Sequence, residues 1–385
     1  MAGEKNPQAA VNYSDLDPFK IAAQQAAATT SRNLEEYFGY HFLEESRGES
    51  ACVWYENERY QAMVAEGLGT KNLVADRLFE EIKTASQNLS AIANVVGENS
   101  AKTHYDAIAQ DTVAMVVNDL IVVGAMPKVV MAHMSVGESS WFSDTRRAKD
   151  LVDGWANACN MAGATWGAGE TPSLKDILQP GVIELSGSAI GEINPPRRLT
   201  LGDKLQPGDH IIYLPGSGIH ANGLTDARNI AEGLLLGYNT PLSNGSTYGE
   251  SLLVPTPIYV DAVRLLFQAG VDIHYMANIT GHGWRKLMRA NRELTYVMDF
   301  IPEQQPLFDF IQEQSGKSDE QMYGTFNMGM GFAVYLAAED MPSSLKMLQS
   351  RGWAARLGGH VEAGPQRVVI EPKGLTYESD TLEIR

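Results

Sequence analysis

The segment from Asp111 to Pro127 constrains the fold of this 385-residue chain more than any other part. Its apolar residues recur at helical spacing: Val113, Val116, Val117, Leu120 and Val123. This spacing predicts a helix with one buried face. The pair Asp111-Thr112 is typical of a helix start, and Gly124 is typical of a helix end.

Three polar side chains interrupt this apolar helix. Asp111 lies about two turns before Asn118 and Asp119, so the three fall on adjoining faces. A carboxylate beside a buried face is costly unless it meets a partner, and a metal-bound phosphate is one such partner. The alternative is a helix-capping Asp111 followed by two solvent-facing polar residues. The segment alone leaves both interpretations open.

The composition limits the function classes. A chain of 385 residues with 44% hydrophobic residues allows two domains, each with its own core. The formal net charge of -17 opposes binding to DNA, RNA and anionic membranes. It does not oppose a nucleotide, because a local lysine or a bound Mg²⁺ can reverse the field within one site.

Cysteine usage and hydropathy indicate a soluble protein. Cys52 and Cys159 form no CxxC or Cys/His cluster, so zinc is not indicated, and the spacing around Cys159 predicts a core residue. The first residues lack an apolar signal region, and no run approaches the roughly 18 apolar residues of a membrane span. We therefore expect a cytoplasmic protein without a membrane partner.

Strands and helices alternate along the chain, which predicts an α/β (α+β) fold of two domains. The polar, Pro- and Gly-punctuated stretch after 193 is the best boundary, giving domains at 1–193 and 194–385, with a loose tail at 1–12. We predict strands or a hairpin within 51–65 and strands at 129–136, 182–193, 210–214, 296–300 and 331–336. We predict helices at 20–38, 74–95, 145–162, 224–236, 255–269 and 338–349.

A short Gly-rich loop precedes the first long predicted helix. Gly67 and Gly69 allow a backbone to approach a ligand closely, and Lys71 supplies a point charge for phosphate. Glu66 offers an oxygen ligand for Mg²⁺. The P-loop pattern GxxxxGK[ST] is absent, and a plain turn is the alternative.

Four further segments carry polar groups beside glycine. Glu170 follows small residues in GAGETP, where a turn with a solvated Glu is the alternative. The PGSGIHANG segment offers Ser217, His220 and Asn222, but its spacing does not fit the serine-hydrolase elbow. His220 suits phosphate binding or proton transfer, or a structural role in a turn. Segments 278–283 (NITGHG) and 325–331 (TFNMGMG) suit a polar small molecule or a hairpin turn.

The order of these segments is more specific than any one of them. The series GxGTK, D-x4-GAxP, GET, SGIHANG, PTPIY, ITGHG and TFNMGMG resembles the aminoimidazole ribonucleotide synthetase (phosphoribosylformylglycinamidine cyclo-ligase) family. The resemblance runs from about residue 65 to 331. D-x4-GAxP marks the wider ATP-binding superfamily, whereas the second-half motifs point to the cyclo-ligase.

The resemblance implies two α/β domains, dimerisation through the first-domain sheet, and ATP and Mg²⁺ as cofactors. It implies ATP-dependent closure of the imidazole ring of formylglycinamidine ribonucleotide in purine biosynthesis by a cytoplasmic homodimer. The implied roles are as follows: catalysis by Lys71, Asp111 and His220; ATP binding by Gly67, Gly69, Thr70, Lys71, Asn118, Asp119, Ser217 and Asn222; substrate binding by Thr325 and Asn327; and Mg²⁺ binding by Glu66, Asp111, Asp119 and Glu170.

Several positions depart from the family pattern, and the departures are Glu66, Gln110, Ala132, Ala168, His282 and Gly324. They leave two alternatives open. The first is a superfamily relative that uses ATP on another substrate. Its known types are the hydrogenase-maturation proteins, which use a C-terminal Cys, the selenophosphate synthetases, which use a reactive Cys, and thiamine-monophosphate kinase. The second is a catalytically silent nucleotide binder, against which the retention of Lys71, Asp111, Asp119 and Glu170 argues.

Overall fold

The computed structural model describes residues 13–88 and 102–382, and side chains from residue 16 to 81 and from 102 to 382. The predicted loose tail at 1–12 and the last part of the predicted helix at 74–95 lie outside the described residues. Two separate sheets account for the strands, one in each half of the chain.

The first half forms a six-stranded sheet in the order β1-β2-β3-β6-β4-β5. All neighbouring strands in it are antiparallel except β4 and β5, which are parallel. Its elements are α1 (Tyr13–Ala28), α2 (Arg32–Phe38), β1 (His41–Phe42), β2 (Cys52–Glu56), β3 (Arg59–Gly67), α3 (Asn72–Asn88), α4 (Tyr105–Val122), β4 (Met126–Val136), α5 (Thr145–Ala162), β5 (Thr165–Glu170) and β6 (Ile183–Ile193).

The second half forms a seven-stranded mixed sheet in the order β13-β12-β9-β11-β7-β10-β8. Its elements are β7 (His210–Pro215), α6 (Leu224–Gly233), α7 (Tyr248–Leu252), α8 (Val260–Gln268), β8 (Ile273–Asn278), β9 (Leu294–Met298), α9 (Pro306–Ser315), α10 (Asp319–Tyr323), β10 (Met330–Leu336), α11 (Met341–Ser350), β11 (Arg356–Ala363), β12 (Arg367–Ile370) and β13 (Leu375–Glu378). Short 3₁₀ helices cover Glu44–Ser46, Ser139–Ser143, Pro196–Arg198, Gly237–Asn239, Gly283–Met288, Glu371–Lys373 and Ser379–Leu382.

The first sheet has one covered face and one open face. Alternate residues of β6, such as Leu185 and Ala189, are buried, while Ser186 and Ser188 between them are partly exposed. Helix α4 packs on the covered face, where it contacts both β3 and β6. On the open face Met63 and Met131 are 44% and 39% exposed.

Helix α4 is the expected apolar helix, but two of its predicted properties are wrong. It begins at Tyr105, so Asp111 lies in its second turn and does not cap it. From Asp111 onward it is also buried on every side, because it packs on α5 of the first half and on α8 and β8 of the second half. The helix ends as predicted at Val122, and Gly124 follows with a positive φ of 88°.

The remaining predicted elements fall within a few residues of their observed bounds, with three exceptions. The helix expected at 20–38 is two helices, because the chain turns between α1 and α2. The helix expected at 255–269 begins only at Val260, since residues 254–258 lie in neither helix nor strand. The turn expected around Glu170 is the strand β5, which pairs with β4. Within the residues described, no helix is both long and apolar enough to cross a membrane.

Candidate functional site

A fully buried ion pair joins the two halves of the chain. Lys71 Nζ lies 2.7 Å from Asp111 Oδ2, and neither side chain is exposed. Lys71 Nζ also donates to the carbonyl oxygen of Val254 at 2.8 Å. The other Asp111 oxygen, Oδ1, accepts from the backbone N–H of Thr256 at 2.8 Å and from its hydroxyl at 2.5 Å. Both ends of the pair therefore hold residues 254–256 of the second half against α4.

Burial opposes both charges of this pair. It raises the pKa of the Asp111 carboxyl and lowers the pKa of the Lys71 ammonium, while the attraction between the two groups counteracts each shift. In this arrangement neither group points to an open space. The predicted contacts of Lys71 with phosphate and of Asp111 with Mg²⁺ remain predictions.

Asn118 also binds this part of the second half. Its Nδ2 donates to the Pro257 carbonyl oxygen at 2.9 Å, and its Oδ1 accepts from the Tyr259 backbone N–H at 2.9 Å. Directly before Asp111 in the chain, Gln110 Nε2 donates to the Thr256 carbonyl oxygen at 2.8 Å. The amides of α4 thus bind protein backbone, and the predicted contact of Asn118 with ATP stays a prediction.

Asp119 meets a different environment at the end of the same helix. Its Oδ1 accepts from Asn278 Nδ2 of β8 at 2.6 Å. The side chain of Glu66 belongs to the covered face of the sheet, because it alternates with the buried residues Ala62 and Val64 of β3. Burial and the nearby charge of Asp119 raise the pKa of Glu66 to about 7. Two carboxylates therefore converge here without a neutralising ion pair among the described residues.

Sequence reasoning missed a cation that faces these carboxylates. Lys286 lies in the 3₁₀ helix Gly283–Met288, and its pKa is lowered to about 7 by burial and by Arg289, against the attraction of Asp119, Glu66 and Glu49. Arg289 lies beside it and donates to Ser50 Oγ at 2.5 Å. No motif marks Lys286, and its spacing from the Gly-rich turn at 281–283 is the only sequence signal.

The loops of the second half pack against one another next to this region. Asn327 Nδ2 donates to the Gly218 carbonyl oxygen at 2.8 Å, and Trp284 Nε1 donates to the Asn327 carbonyl oxygen at 2.8 Å. The SGIHANG, ITGHG and TFN segments therefore form one cluster. Thr325, half-buried, begins the TFN turn, and its N–H donates to the Met322 carbonyl oxygen.

The polar side chains of the SGIHANG loop differ in whether their hydrogen-bonding atoms have partners. Ser217 Oγ donates to the Pro255 carbonyl oxygen at 2.6 Å, and the Ser217 N–H donates to His220 Nε2 at 3.3 Å. Burial lowers the pKa of His220 to about 3, so its ring is neutral. Asn222 Nδ2 is buried with no hydrogen-bond partner among the described residues. A Cβ added to Gly281 would lie 3.6 Å from Asn222 Oδ1, so this amide borders the ITGHG turn.

The Gly-rich loop joins β3 to α3. Gly67 ends β3 on the open face, and Gly69 has a positive φ of 77° with open space around it. Thr70 is half-buried, and its carbonyl oxygen accepts from the Leu73 N–H at 3.2 Å as α3 begins. The structure thus leaves backbone approach to Gly67 and Gly69 unobstructed.

Glu170 lies on the edge strand of the first sheet, apart from Asp111 and Asp119 but in the same open concavity as Glu66. It pairs in register with His133 of β4, and both side chains are exposed on the open face of the first sheet. Strand β5 is three strand spacings from β3, about 14 Å. Glu170 therefore belongs to an open concavity of about 620 Å³, whereas Asp119 lies under the covered face. Within the described ranges, no three His, Cys, Asp or Glu side chains come together as a metal site.

His282, one of the departures from the family pattern, lies in an unusual backbone conformation. His282 has a φ of 74°, a conformation that favours glycine. Burial and the charges of Lys286 and Arg285 lower its pKa to about 3. A neutral imidazole therefore stands in a strained turn beside Lys286.

Comparison with known sequences covers both halves. The family model described as "AIR synthase related protein, N-terminal domain" matches residues 50–193, and the model of the C-terminal domain matches 206–371. A phosphoribosylformylglycinamidine cyclo-ligase of Methanothermobacter thermautotrophicus is 34% identical over 343 residues, covering 89% of this chain and 92% of the relative. One of Nitrosococcus oceani is 34% identical over 262 residues, covering 67% and 71%.

Solved structures share the fold at lower identity. A HypE–HypF complex contains a chain with a TM-score of 0.58 and 17% identity, covering 90% of this chain and 97% of that one. AaThiL complexed with AMPPCP and TMP has a TM-score of 0.54 and 14% identity, covering 86% and 90%. On the two domain matches and the archaeal relative, the chain belongs to the AIR synthase related family.

Proposed function

We propose that this protein is an ATP-dependent phosphoribosylformylglycinamidine cyclo-ligase of purine biosynthesis. The observation that carries the proposal is the relative from M. thermautotrophicus, which bears this name and aligns with 89% of the chain, across both halves of the site. The reaction transfers the terminal phosphoryl group of ATP to the formyl amide oxygen of formylglycinamidine ribonucleotide, and ADP leaves. A nitrogen of the same substrate then attacks that carbon, phosphate leaves, and aminoimidazole ribonucleotide forms.

Glu66 and Asp119 fit a Mg²⁺ ion. Mg²⁺ commonly uses one or two carboxylates and completes its shell with water and substrate phosphates. Burial, and after it the charge of Asp119, raises the pKa of Glu66, so a cation bound here would favour the ionised carboxylate. Mg²⁺ would supply neutralisation of phosphate charge here, and the two carboxylates would hold it.

The second-half loops would bind the ribonucleotide. The buried, unpartnered Nδ2 of Asn222 is a donor available to a phosphate or amide oxygen. We assign Ser217 and the neutral His220 to shaping this loop, with Thr325 and Asn327 on the substrate side. Because Lys71 and Asp111 hold residues 254–256, we assign them the positioning of that segment, and any direct contact with phosphate requires their ion pair to open.

Two further parts of the proposal concern assembly. We propose a cytoplasmic homodimer that buries the open face of the first sheet, where Met63 and Met131 are exposed. Glu170 on that face would then approach the dimer interface and reach metal or nucleotide only there. The domain boundary is proposed at 193/194, between the last strand of the first sheet and the first strand of the second.

The decisive experiment is direct. Purified protein is incubated with formylglycinamidine ribonucleotide, ATP and Mg²⁺, and aminoimidazole ribonucleotide is quantified. Product that depends on all three supports the cyclo-ligase. ATP binding or hydrolysis without product would reject it and leave a relative with another substrate, or a silent nucleotide binder. Light scattering of the wild type and of Met131→Lys tests the dimer, which the substitution is expected to dissociate.

A further inference from the structure

A cavity of about 1380 Å³ lies between the two halves of the chain. It is lined by Gln110 of α4 from the first half and by Ser217, Gly218, Pro255 and Gln305 from the second half, among other residues. Pockets for small molecules usually measure roughly 300–1,000 Å³, so a ligand of nucleotide size has room here. The turn that carries Ser217 and Gly218 is therefore placed to contact such a ligand.

Amide side chains fix the carbonyl oxygens on both sides of Ser217. Gln305 Nε2 donates to the Gly216 carbonyl oxygen at 2.9 Å, and Asn327 Nδ2 donates to the Gly218 carbonyl oxygen at 2.8 Å. The Gly216 N–H donates in turn to the Gly329 carbonyl oxygen at 2.9 Å. The peptide groups that follow Gly216 and Gly218 are therefore held in one orientation.

Two successive backbone N–H groups at this turn have no acceptor in the described part of the chain. They belong to Gly218 and Ile219, which are both buried. Buried backbone N–H groups are almost always paired with protein, water or a ligand. Because the C=O and the N–H of one trans peptide point in opposite directions, fixing the Gly218 oxygen to Asn327 also fixes the direction of the Ile219 N–H. The turn thus presents two unpaired donors next to each other.

Gln305 has no other structural task that the described residues reveal. It directly precedes α9, but its side chain does not cap that helix. Its backbone carbonyl oxygen does so instead, by accepting from the Phe308 N–H at 2.8 Å. Within the described ranges, the contact with Gly216 is the one hydrogen bond that the Gln305 side chain makes. The side chain therefore serves the turn and not the helix.

We infer that Gln305 is a positioning residue, which holds the turn so that the Gly218 and Ile219 N–H groups donate to the phosphate of the ribonucleotide substrate. The inference rests on the proposed function and deepens its substrate site. Successive N–H groups in a turn form a concavity that suits an anion. Glu66 and Asp119, which we propose for the metal of ATP, do not line this cavity, so the ribonucleotide is the substrate assigned to it.

The test is the KM for each substrate in Gln305→Met, which has nearly the same length and no donor. The KM for formylglycinamidine ribonucleotide is expected to rise about tenfold to a hundredfold, because the donors lose their alignment. The KM for ATP and kcat are expected to change less than about twofold. A role in stability alone would leave both KM values unchanged, and this result would overturn the inference.

The matched control is Gln304→Met. Gln304 is the adjacent residue and is also partly buried, but its Nε2 donates to Gln312 Oε1 at 3.3 Å and it does not line the cavity. This variant is expected to keep the KM of the wild type for both substrates. An equal rise in the ribonucleotide KM of both variants would contradict a specific role of Gln305.

A second measurement uses ribose 5-phosphate, which carries the phosphate and sugar of the substrate without its formylglycinamidine part. It is expected to inhibit the wild type competitively against the ribonucleotide, and about tenfold more weakly in Gln305→Met. A wild type that it does not inhibit, or equal inhibition of the two proteins, would contradict the inference. If the wild type forms no product, the proposed function fails. If it forms product while Gln305→Met behaves as Gln304→Met, only this inference fails.

Discussion

Asp111 and Asp119 lie on the same helix, eight positions apart, and meet opposite environments. Asp111 is paired with Lys71 and takes two hydrogen bonds from Thr256, so its charge is fully met within the protein. Asp119 receives one amide hydrogen bond and faces another carboxylate. The difference teaches that Asp111, in the first half of α4, holds the two halves of the chain together, whereas the end of the helix carries the carboxylate that we propose as a metal ligand.

The largest expected effect is on the stability that the Lys71–Asp111 ion pair provides. Asp111→Asn leaves the Lys71 ammonium buried without a counter-charge and should lower the free energy of unfolding by about 3–5 kcal/mol. Urea denaturation measures this loss. The double variant Lys71→Met/Asp111→Leu removes both charges and should recover much of the stability. A change below about 1 kcal/mol in Asp111→Asn would show that the pair contributes nothing.

The next largest effect concerns Asp119, near the C-terminal end of α4. Asp119→Asn keeps an oxygen that accepts from Asn278, so the free energy of unfolding should change by less than about 1 kcal/mol. Turnover and affinity for the magnesium–nucleotide complex should both fall about tenfold to a hundredfold, because an asparagine amide is a weaker metal ligand than the Asp119 carboxylate. Steady-state kinetics and urea denaturation, measured on the same variant, separate the loss of activity from the loss of stability. A variant that loses stability but keeps affinity would reverse our comparison.

A smaller effect concerns pH. The folded-state pKa of Glu66 is raised to about 7 from 4.5, so the native protein holds an extra proton between these values. Wild-type stability should therefore fall as pH rises through that window, by about 1–2 kcal/mol, and stay level above it. Glu66→Gln should flatten this profile, leaving the variant the more stable of the two at pH 8. Parallel profiles of the two proteins would contradict the raised pKa of Glu66.

The smallest effect concerns the orientation of Asp119. Asn278→Ala removes its hydrogen bond and should cost about 0.5–1.5 kcal/mol of stability. Because the carboxylate loses its support, affinity for Mg²⁺–nucleotide should fall about tenfold. Calorimetry on the variant checks this. Unchanged affinity would mean that Asn278 is only a packing partner.

The sequence predicted the apolar helix and most strands near their observed positions, because periodic burial is a local signal. It misplaced the start of α4, since the first two turns carry Tyr105, Asp106 and Gln110 among their apolar residues. It did not predict the strands β1, β8, β11, β12 and β13. It also missed β5, where glycines suggest a turn and only pairing with β4 imposes an extended chain. All-round burial of α4 depends on the second half of the chain, which no local pattern reports.

The site was predicted only in part for the same reason. The motifs correctly grouped the second-half loops, which contact one another. They also grouped Glu66 with Glu170, and both residues line the open concavity of the first sheet, although their strands lie three spacings apart. The alternation of Ala62, Val64 and Glu66 already placed Glu66 on the covered face, and this signal was not used. Lys286 belongs to no motif, and its relation to Asp119 exists only in three dimensions.

Helix α4 has a mechanical consequence. Its side chains hold residues 254–259 through Gln110, Asp111 and Asn118, so the two sheets are locked in one mutual orientation. A hinge that swings one half away from the other would have to break all of these bonds at once. We therefore expect substrate to enter past the loops at the end of the helix, while the two sheets keep one mutual orientation.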